Sequence, residues 1–378
     1  MSRGDRWLVV VPIVLTGIGV IMVFSSSAIL GITRYQDPNH FFVRQALRAV
    51  LGLVVMLAAM KLPLRRWEQA APWLMGGAAV LLAVVAVVGH VSNGAMRWLR
   101  WGMLTLQPTE LARVAAVIFL AWWLKRRPPA ELGFRRGLGP PAGFAGGLAL
   151  LILLQPNLSS AALLLVVCYA MLFLAGAPGK HLAAPAAVGA LVAGFALATH
   201  PYMMGRVTTF LDFALHGTLD PRGSGWQLDQ SLIAIGSGGG LGRGLGAGLQ
   251  KYLFLPEAHT DFIFSILAEE LGFLGATVLI AVLGLLVWRG MRAAARAREP
   301  FAFLLASGLT LQIGLYALTN LAVATGLAPT TGIPLPFVSY GGSALLANLA
   351  AAGLLYRISA VTYAREAVAH HRWQREER

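Results

Sequence analysis

Residues 8–30, Leu8-Val9-Val10-Val11-Pro12-Ile13-Val14-Leu15-Thr16-Gly17-Ile18-Gly19-Val20-Ile21-Met22-Val23-Phe24-Ser25-Ser26-Ser27-Ala28-Ile29-Leu30, contain no charged side chain. An apolar run of about 18 residues or more is long enough to cross a bilayer as a helix. This one is too long for the core of a cleaved signal peptide, despite Ser25-Ser26-Ser27-Ala28, and reads as an uncleaved anchor. Nine further runs follow, at 44–61, 72–90, 107–124, 142–156, 158–176, 181–199, 261–288, 301–325 and 341–357. The fifth and sixth are short and are split by Gln155-Pro156-Asn157. A central proline argues for two short or tilted helices over one of about 35 residues. The expectation is an all-α polytopic membrane protein with ten transmembrane helices.

Composition agrees. Of 378 residues, 57% are hydrophobic and only 12% charged, against about a quarter charged in soluble chains; the mean hydropathy is +0.69. The net charge of +14 would suggest nucleic acid in a soluble protein. Here it is an orientation signal. With the N-terminus in the cytoplasm and ten spans, 20 of the 30 basic residues fall inside and 9 outside, with Arg113 inside a span, as the positive-inside rule requires. Chain 1–378 therefore reads as a single membrane domain with both termini cytoplasmic, an extracytoplasmic loop at 200–260 between helices 7 and 8, and a basic tail at 358–378. No nucleic-acid partner is expected. A single cysteine, Cys168, excludes an intrachain disulfide and a cysteine-built metal site.

The informative residues are the few charges left outside. Segment 200–260 is long for a connection, and such segments tend to be functional. It holds the amphipathic stretch Trp226–Ile235 and then residues 236–248, of which eight are glycine. Successive backbone N–H groups there can form an anion-binding nest beside Arg243 and Lys251; a flexible loop or a close helix contact is the plainer reading. Next comes Leu255-Pro256-Glu257-Ala258-His259-Thr260-Asp261-Phe262-Ile263-Phe264. Thr260 or Asp261 could cap the eighth span. Capping does not account for Glu257, His259 and Asp261 within five residues. At 100° per residue, Ser265, Ala268 and Gly272 fall on the Asp261 face of a helix starting there. Deeper in that span, Glu269-Glu270 are costly in lipid and read either as functional carboxylates or as an internal pairing, with Arg113 as a partner.

Two more clusters belong to the outer side. Arg97-Trp98-Leu99-Arg100-Trp101 resembles an interfacial aromatic belt and precedes Gln107-Pro108-Thr109-Glu110, ordinary helix-start chemistry in which Arg113 can pair with Glu110. Residues 329–343, with Pro329, Pro334 and Pro336 before Ser339-Tyr340-Gly341-Gly342-Ser343, suggest a rigid re-entrant turn, tolerated at membrane depth only inside protein or along a cavity. Metalloprotease, Walker, CxxC and GxSxG motifs are absent from the sequence, and no inverted repeat relates the halves.

RWLRWGMLTLQPTELAR (97–113), QPNLSSA (155–161), WQLDQSLIAIGSGGGLGRGLG (226–246), LPEAHTDFIFSILAEELGFLG (255–275) and GLAPTTGIPLPFVSYGGSALL (326–346) resemble, collinearly, the SEDS family, the FtsW/RodA/SpoVE proteins of bacterial cell-wall synthesis. The resemblance implies a peptidoglycan glycosyltransferase of the cytoplasmic (inner) membrane. It would polymerise lipid II, the undecaprenyl-pyrophosphate-linked disaccharide pentapeptide, beside a class B penicillin-binding protein transpeptidase. It implies Asp261 as the catalytic carboxylate, with Glu110 as a second catalytic candidate that orients substrate or helps hold a metal. The sequence departs from the family pattern at Asn157, where Asp is common, at Arg113 for Lys, at Thr109 for Ser and at Ala344 for Ser. Residues 41–45, 22–28 and Ala258 lean toward the division branch; 332–337 lean toward the elongation branch.

On this reading Asp261 takes the proton of the acceptor 4-hydroxyl. Arg97, Arg100, Arg243 and Lys251, the glycine nest, or a divalent cation such as Mg or Mn meet the leaving pyrophosphate. Gln107, Glu257, His259, Ser339 and Ser343 are further substrate-binding candidates. A lipid II flippase, or a scaffold for the transpeptidase, are the competing functions.

Overall fold

The computed structural model describes residues 4–92, 95–101, 104–129, 134–219 and 224–376. All ten apolar runs become helices: α1 (Trp7–Tyr35), α2 (His40–Lys61), α3 (Leu64–Val88), α4 (Pro108–Arg126), α5 (Gly139–Leu153), α6 (Leu158–Leu174), α7 (Gly179–Thr199), α10 (Ile263–Arg296), α11 (Pro300–Ala324) and α12 (Gly342–Glu376). Among the described residues eight are long and apolar enough to span a membrane, α5 only together with the helical turn that precedes it from Arg136. The other two are α4, which carries Glu110, Arg113, Lys125 and Arg126, and α6, which has 17 residues. Between α5 and α6 the chain breaks at Gln155–Asn157, and the Asn157 side chain caps α6 by accepting from Ser160 N at 3.3 Å. Asn thus does the capping work open to an Asp at this position.

Two expectations are corrected. The fold is not purely helical. β1 (His90–Ser92), β2 (Ala95–Trp101) and β3 (Leu104–Leu106) form an antiparallel sheet in the order β1-β2-β3. Arg97–Trp101 repeats every three residues and so lacks the strand period of two; cross-strand pairing nevertheless places it in a small cap on the bundle, where the sequence suggested only an aromatic belt. Segment 200–260 is also not simply a loop: α8 (Pro201–His216) and α9 (Ser224–Gly238) occupy much of it.

Side-chain ties sort the helix ends into two groups. At one end Asp5 meets Arg289 at 3.3 Å, and Lys125 bridges Glu68 at 3.0 Å and Glu299 at 2.7 Å, joining the starts of α1, α3 and α11 to the ends of α4 and α10. At the other end Arg48 donates to Thr105 at 3.1 Å, and Gln107 N donates to Ser343 Oγ at 2.9 Å. The core runs between them. α12 packs along α2 so closely that a Cβ on Gly353 would overlap the Met56 carbonyl, the small-residue contact that lets membrane helices approach. Residues 330–339 are mostly buried, which satisfies the condition on a re-entrant turn.

α10 is interrupted. At Gly272 the backbone turns to φ 67°, ψ −168°, a conformation essentially closed to other residues. The glycine-rich segment enters the gap: Arg243 N and Gly244 N donate to the carbonyls of Glu269 and Glu270, each at 3.0 Å, while Phe273 N donates to Gly239 O at 2.8 Å. A Cβ on Gly272 would collide with Gly242 N. Gly272→Ala is therefore expected to cost at least about 1–3 kcal/mol, read as a lower apparent Tm of the detergent-purified protein; an unchanged Tm would show that the break is not constrained.

Candidate active site

Asp261 lies in the turn just before α10, one step outside the helix. Residues 257–262 form a tight loop in which the Glu257 carbonyl receives the N–H groups of Thr260, Asp261 and Phe262 at 3.1, 3.1 and 3.3 Å. Glu257 itself sits at φ 54°, a left-handed position that costs a non-glycine residue energy and persists only where the surroundings over-determine it. Those surroundings grip successive carbonyls. Tyr340 N donates to His259 O at 2.9 Å, Ser339 Oγ to Thr260 O, and Asn320 Nδ2 to Asp261 O at 2.7 Å and to Ile333 O at 2.8 Å. Gln45 Nε2 reaches Ser339 O at 3.2 Å. The re-entrant turn, α11 and α2 thus hold the loop by its backbone and leave the Asp261 carboxylate without a hydrogen-bond donor among the described residues.

That carboxylate is perturbed. Burial, then the like charge of Glu257, push its pKa up to about 7, while Arg206 and Arg97 pull it down. A carboxyl poised near neutrality is suited to proton transfer. Arg97, on β2, donates from Nε to Gln155 O at 3.0 Å and from Nη2 to Pro156 O, so the α5–α6 break anchors it. Arg206, on α8, donates to Thr330 O at 3.0 Å and lies 4.6 Å from the Tyr202 ring centre. Two guanidiniums and two carboxylates, Asp261 and Glu257, thus share one electrostatic field at one end of the bundle. Sequence reading counted Arg206 only among the outer basic residues, in the long segment 200–260. Asn320 was missed altogether, although a polar residue inside the apolar run 301–325 marks a partner nearby.

The remaining candidates separate into supports and outliers. His259 is buried between Phe41 and Tyr340, ring centres 4.9 and 5.4 Å away. Burial lowers its pKa, Glu257 raises it and Arg34 lowers it. Glu257 Oε2 accepts from Thr260 Oγ1 at 2.9 Å. Ser339 and Ser343 are buried in backbone contacts, the latter with Gln107 N. Arg100 lies on β2, its side chain outside the described residues. Glu110 pairs with Arg113 at 2.8 Å, both 2% exposed. Arg113 also reaches Asn348 at 2.8 Å, the Gln312 amide at 3.1–3.2 Å and the face of Tyr316, tying α4 to α11 and α12.

The glycine segment does form an N–H cradle, but its anions come from within the chain. Glu269 accepts from Leu249 N at 2.7 Å and Gln250 N at 3.2 Å; Glu270 accepts from Gly246 N at 3.0 Å. Lys251 is committed to Glu270 at 2.7 Å and to Ser25 at 3.1 Å. Arg243 is exposed and donates from Nε to Ser237 O at 3.4 Å. The Glu269-Glu270 pair is thus an internal pairing whose partners are Lys251 and backbone, while Arg113 belongs to Glu110. Nor does the Asp261 face continue regularly down the helix, because α10 starts at Ile263 and breaks at Gly272. Among the described residues no three His, Cys, Asp or Glu side chains cluster closely enough to hold a metal ion.

Breaking a buried pair from one side leaves an uncompensated charge, at about 3–5 kcal/mol. Lys251→Met is expected to destabilise the protein by about that amount, and adding Glu270→Gln should restore part of it. A double variant no more stable than Lys251→Met, measured by thermal unfolding in detergent, would contradict the coupling.

Residues 6–364 match the family model of the FtsW/RodA/SpoVE cell cycle proteins. A protein of Halorhodospira halophila named "Probable peptidoglycan glycosyltransferase FtsW" is 43% identical over 361 residues, covering 94% of this chain and 90% of its own. Stage V sporulation protein E of Bacillus subtilis is 38% identical over 359 residues, covering 94% and 96%. Among solved structures, a chain of a peptidoglycan synthase complex that coordinates polymerisation and crosslinking superposes with a TM-score of 0.78 at 32% identity, covering 95% of this chain and 98% of that one. The rod shape determining protein RodA of Thermus thermophilus superposes at 0.69 and 31% identity, covering 94% and 96%. The family model and these relatives each match nearly the whole length of the chain, and the chain belongs to the FtsW/RodA/SpoVE family.

Proposed function

We propose that this protein is a peptidoglycan glycosyltransferase that polymerises lipid II at the outer face of the bacterial cytoplasmic membrane, with Asp261 as general base. The observation that carries this is the backbone-clamped Asp261 turn, with a carboxyl near neutrality in the electrostatic field of two guanidiniums at one end of a membrane bundle. Ten helices cross, both termini are cytoplasmic, and the Asp261 end faces outward. The alternating ties at the two bundle ends and the positive-inside count support this orientation.

The chemistry then follows from charge. The acceptor 4-hydroxyl oxygen forms a bond to the donor's anomeric carbon, the bond from that carbon to the pyrophosphate oxygen breaks, and undecaprenyl pyrophosphate leaves with the electron pair. Asp261 takes the hydroxyl proton. Arg97 and Arg206 meet the pyrophosphate charge. A divalent cation such as Mg or Mn would find a carboxylate ligand in Glu257, with phosphate oxygens of the substrate completing its shell, and would help neutralise the leaving group. Glu110, held by Arg113, supports the bundle beside the site. A class B penicillin-binding protein is the proposed partner, in line with the synthase complex to which the fold is similar.

Asp261→Asn should abolish polymer formation from purified lipid II by the protein with its partner, in detergent, where sidedness is lost and a flippase would make no product. Full retained activity would remove Asp261 from the mechanism. For the unaltered protein, activity should fall as pH drops below about 7, because the base becomes protonated. Glu257→Gln removes the like charge and should move that acid limb to lower pH. Arg206→Gln removes a stabilising cation and should move it to higher pH. The opposite order of shifts, measured as pH–rate profiles, would show that another group is titrating.

A further inference from the structure

At the end of the bundle away from Asp261 lies a cavity of about 480 Å³ with no part in the chemistry above. Five helices converge on it: the start of α3, the end of α4, the end of α10, the start of α11 and the final turns of α12 within its apolar span. Its floor is apolar, from Leu64, Phe301 and Ile358, and its polar lining is mostly cationic. The two carboxylates there, Glu68 and Glu299, are already neutralised: Lys125 meets both, and Arg126 adds a contact to Glu68 at 3.4 Å. Arg65, Arg296, Arg298 and Arg357 line the same cavity without an ion pair to any described carboxylate; Arg296 donates instead to the Tyr363 hydroxyl at 3.1 Å. The Nε of half-buried Arg357 is enclosed without a hydrogen-bond acceptor. The cavity therefore holds four guanidiniums without a carboxylate partner, one of them bound to a tyrosine hydroxyl, over an apolar floor at the level where helix ends meet the interface.

We propose that this cavity binds the headgroup of an anionic phospholipid of the inner leaflet. Guanidiniums suit phosphate because their planar donor forks match its oxygens. Basic pockets between membrane helices on the cytoplasmic side are where anionic headgroups dock. The floor formed by Leu64 and Phe301 favours an amphiphile over a free anion, since acyl chains cover apolar surface that water would otherwise wet. The bound lipid would bridge α3, α11 and α12, complementing charge that the protein leaves unpaired. The inference rests on the membrane placement and orientation of the bundle and is independent of glycosyl transfer.

The test is native mass spectrometry of the detergent-purified full chain titrated with phosphatidylglycerol, with phosphatidylcholine and inorganic phosphate as parallel probes. One retained phosphatidylglycerol is expected. Its affinity should drop on the order of 100-fold in the Arg65→Gln, Arg298→Gln, Arg357→Gln triple variant, at roughly a few-fold to tenfold per cation. A control triple, Lys61→Gln, Arg136→Gln and Lys180→Gln, removes equal charge elsewhere and should keep the adduct. Equal retention of phosphatidylcholine, equal loss in the control, or an unchanged adduct in the cavity triple would overturn the proposal. So would protection from thermal unfolding by inorganic phosphate alone, or tighter binding of a polyglutamate peptide, which would assign the cavity to a free anion or an acidic protein segment. An unaltered melting profile of the lipid-free triple variant shows that lost binding is not lost folding; a collapsed one moves the test to the single Arg298→Gln variant, whose side chain is exposed and which should still lose several-fold.

Discussion

Negative charge inside an apolar bundle survives only when donors surround it, and the Glu269-Glu270 pair organises much of the Asp261 half of this protein for that reason. The two carboxylates collect three backbone N–H groups, the Lys251 ammonium and the Ser25 hydroxyl. To deliver those donors, the glycine-rich segment must enter the interrupted α10 and lie against its backbone. That closeness requires glycine at 272 and 242, where a side chain would meet main-chain atoms. Few arrangements satisfy two adjacent buried carboxylates at once, so the pair anchors the segment that leads from residue 251 to the Asp261 turn.

The turn itself shows a division of labour between backbone and side chain. Asn320, Ser339 and the Tyr340 N–H bind three successive carbonyls, which orders the loop without spending a donor on the Asp261 carboxylate. A carboxylate given two or three hydrogen bonds would be stabilised as an anion and lowered in pKa. Left with burial, a neighbouring Glu257 and two guanidiniums, Asp261 instead titrates near neutrality. Here electrostatics, rather than any motif letter alone, connects the fold to a proton-transfer role.

The two ends of the bundle solve opposite charge problems. At the Asp261 end a small number of cations meets carboxylates across a β-sheet cap and α8. At the other end cations outnumber carboxylates, and after the Lys125–Glu68–Glu299 network is complete several guanidiniums remain. Such an excess suits a surface facing anionic lipid.

Hydrophobic run length alone located all ten long helices, because the apolar period and the cost of exposing backbone to lipid are local properties of the chain. Charge counting suggested orientation, and the cluster at 257–261 was visible because charge is so scarce. The strands at 90–106 were not legible: they are short, Arg97–Trp101 repeats at three residues and not at two, and Trp and Arg also suit a membrane interface. Nor were the partners of Glu269, Glu270 and Lys251, the neighbourhood of Arg206, or the part played by Asn320. Each depends on residues tens to hundreds of positions apart becoming neighbours. Sequence therefore determined what must be buried in lipid and which ionisable groups are unusual. Tertiary structure decided which of those groups neutralise one another and which are left with charge to use, because burial and pairing are properties of an environment assembled from distant segments.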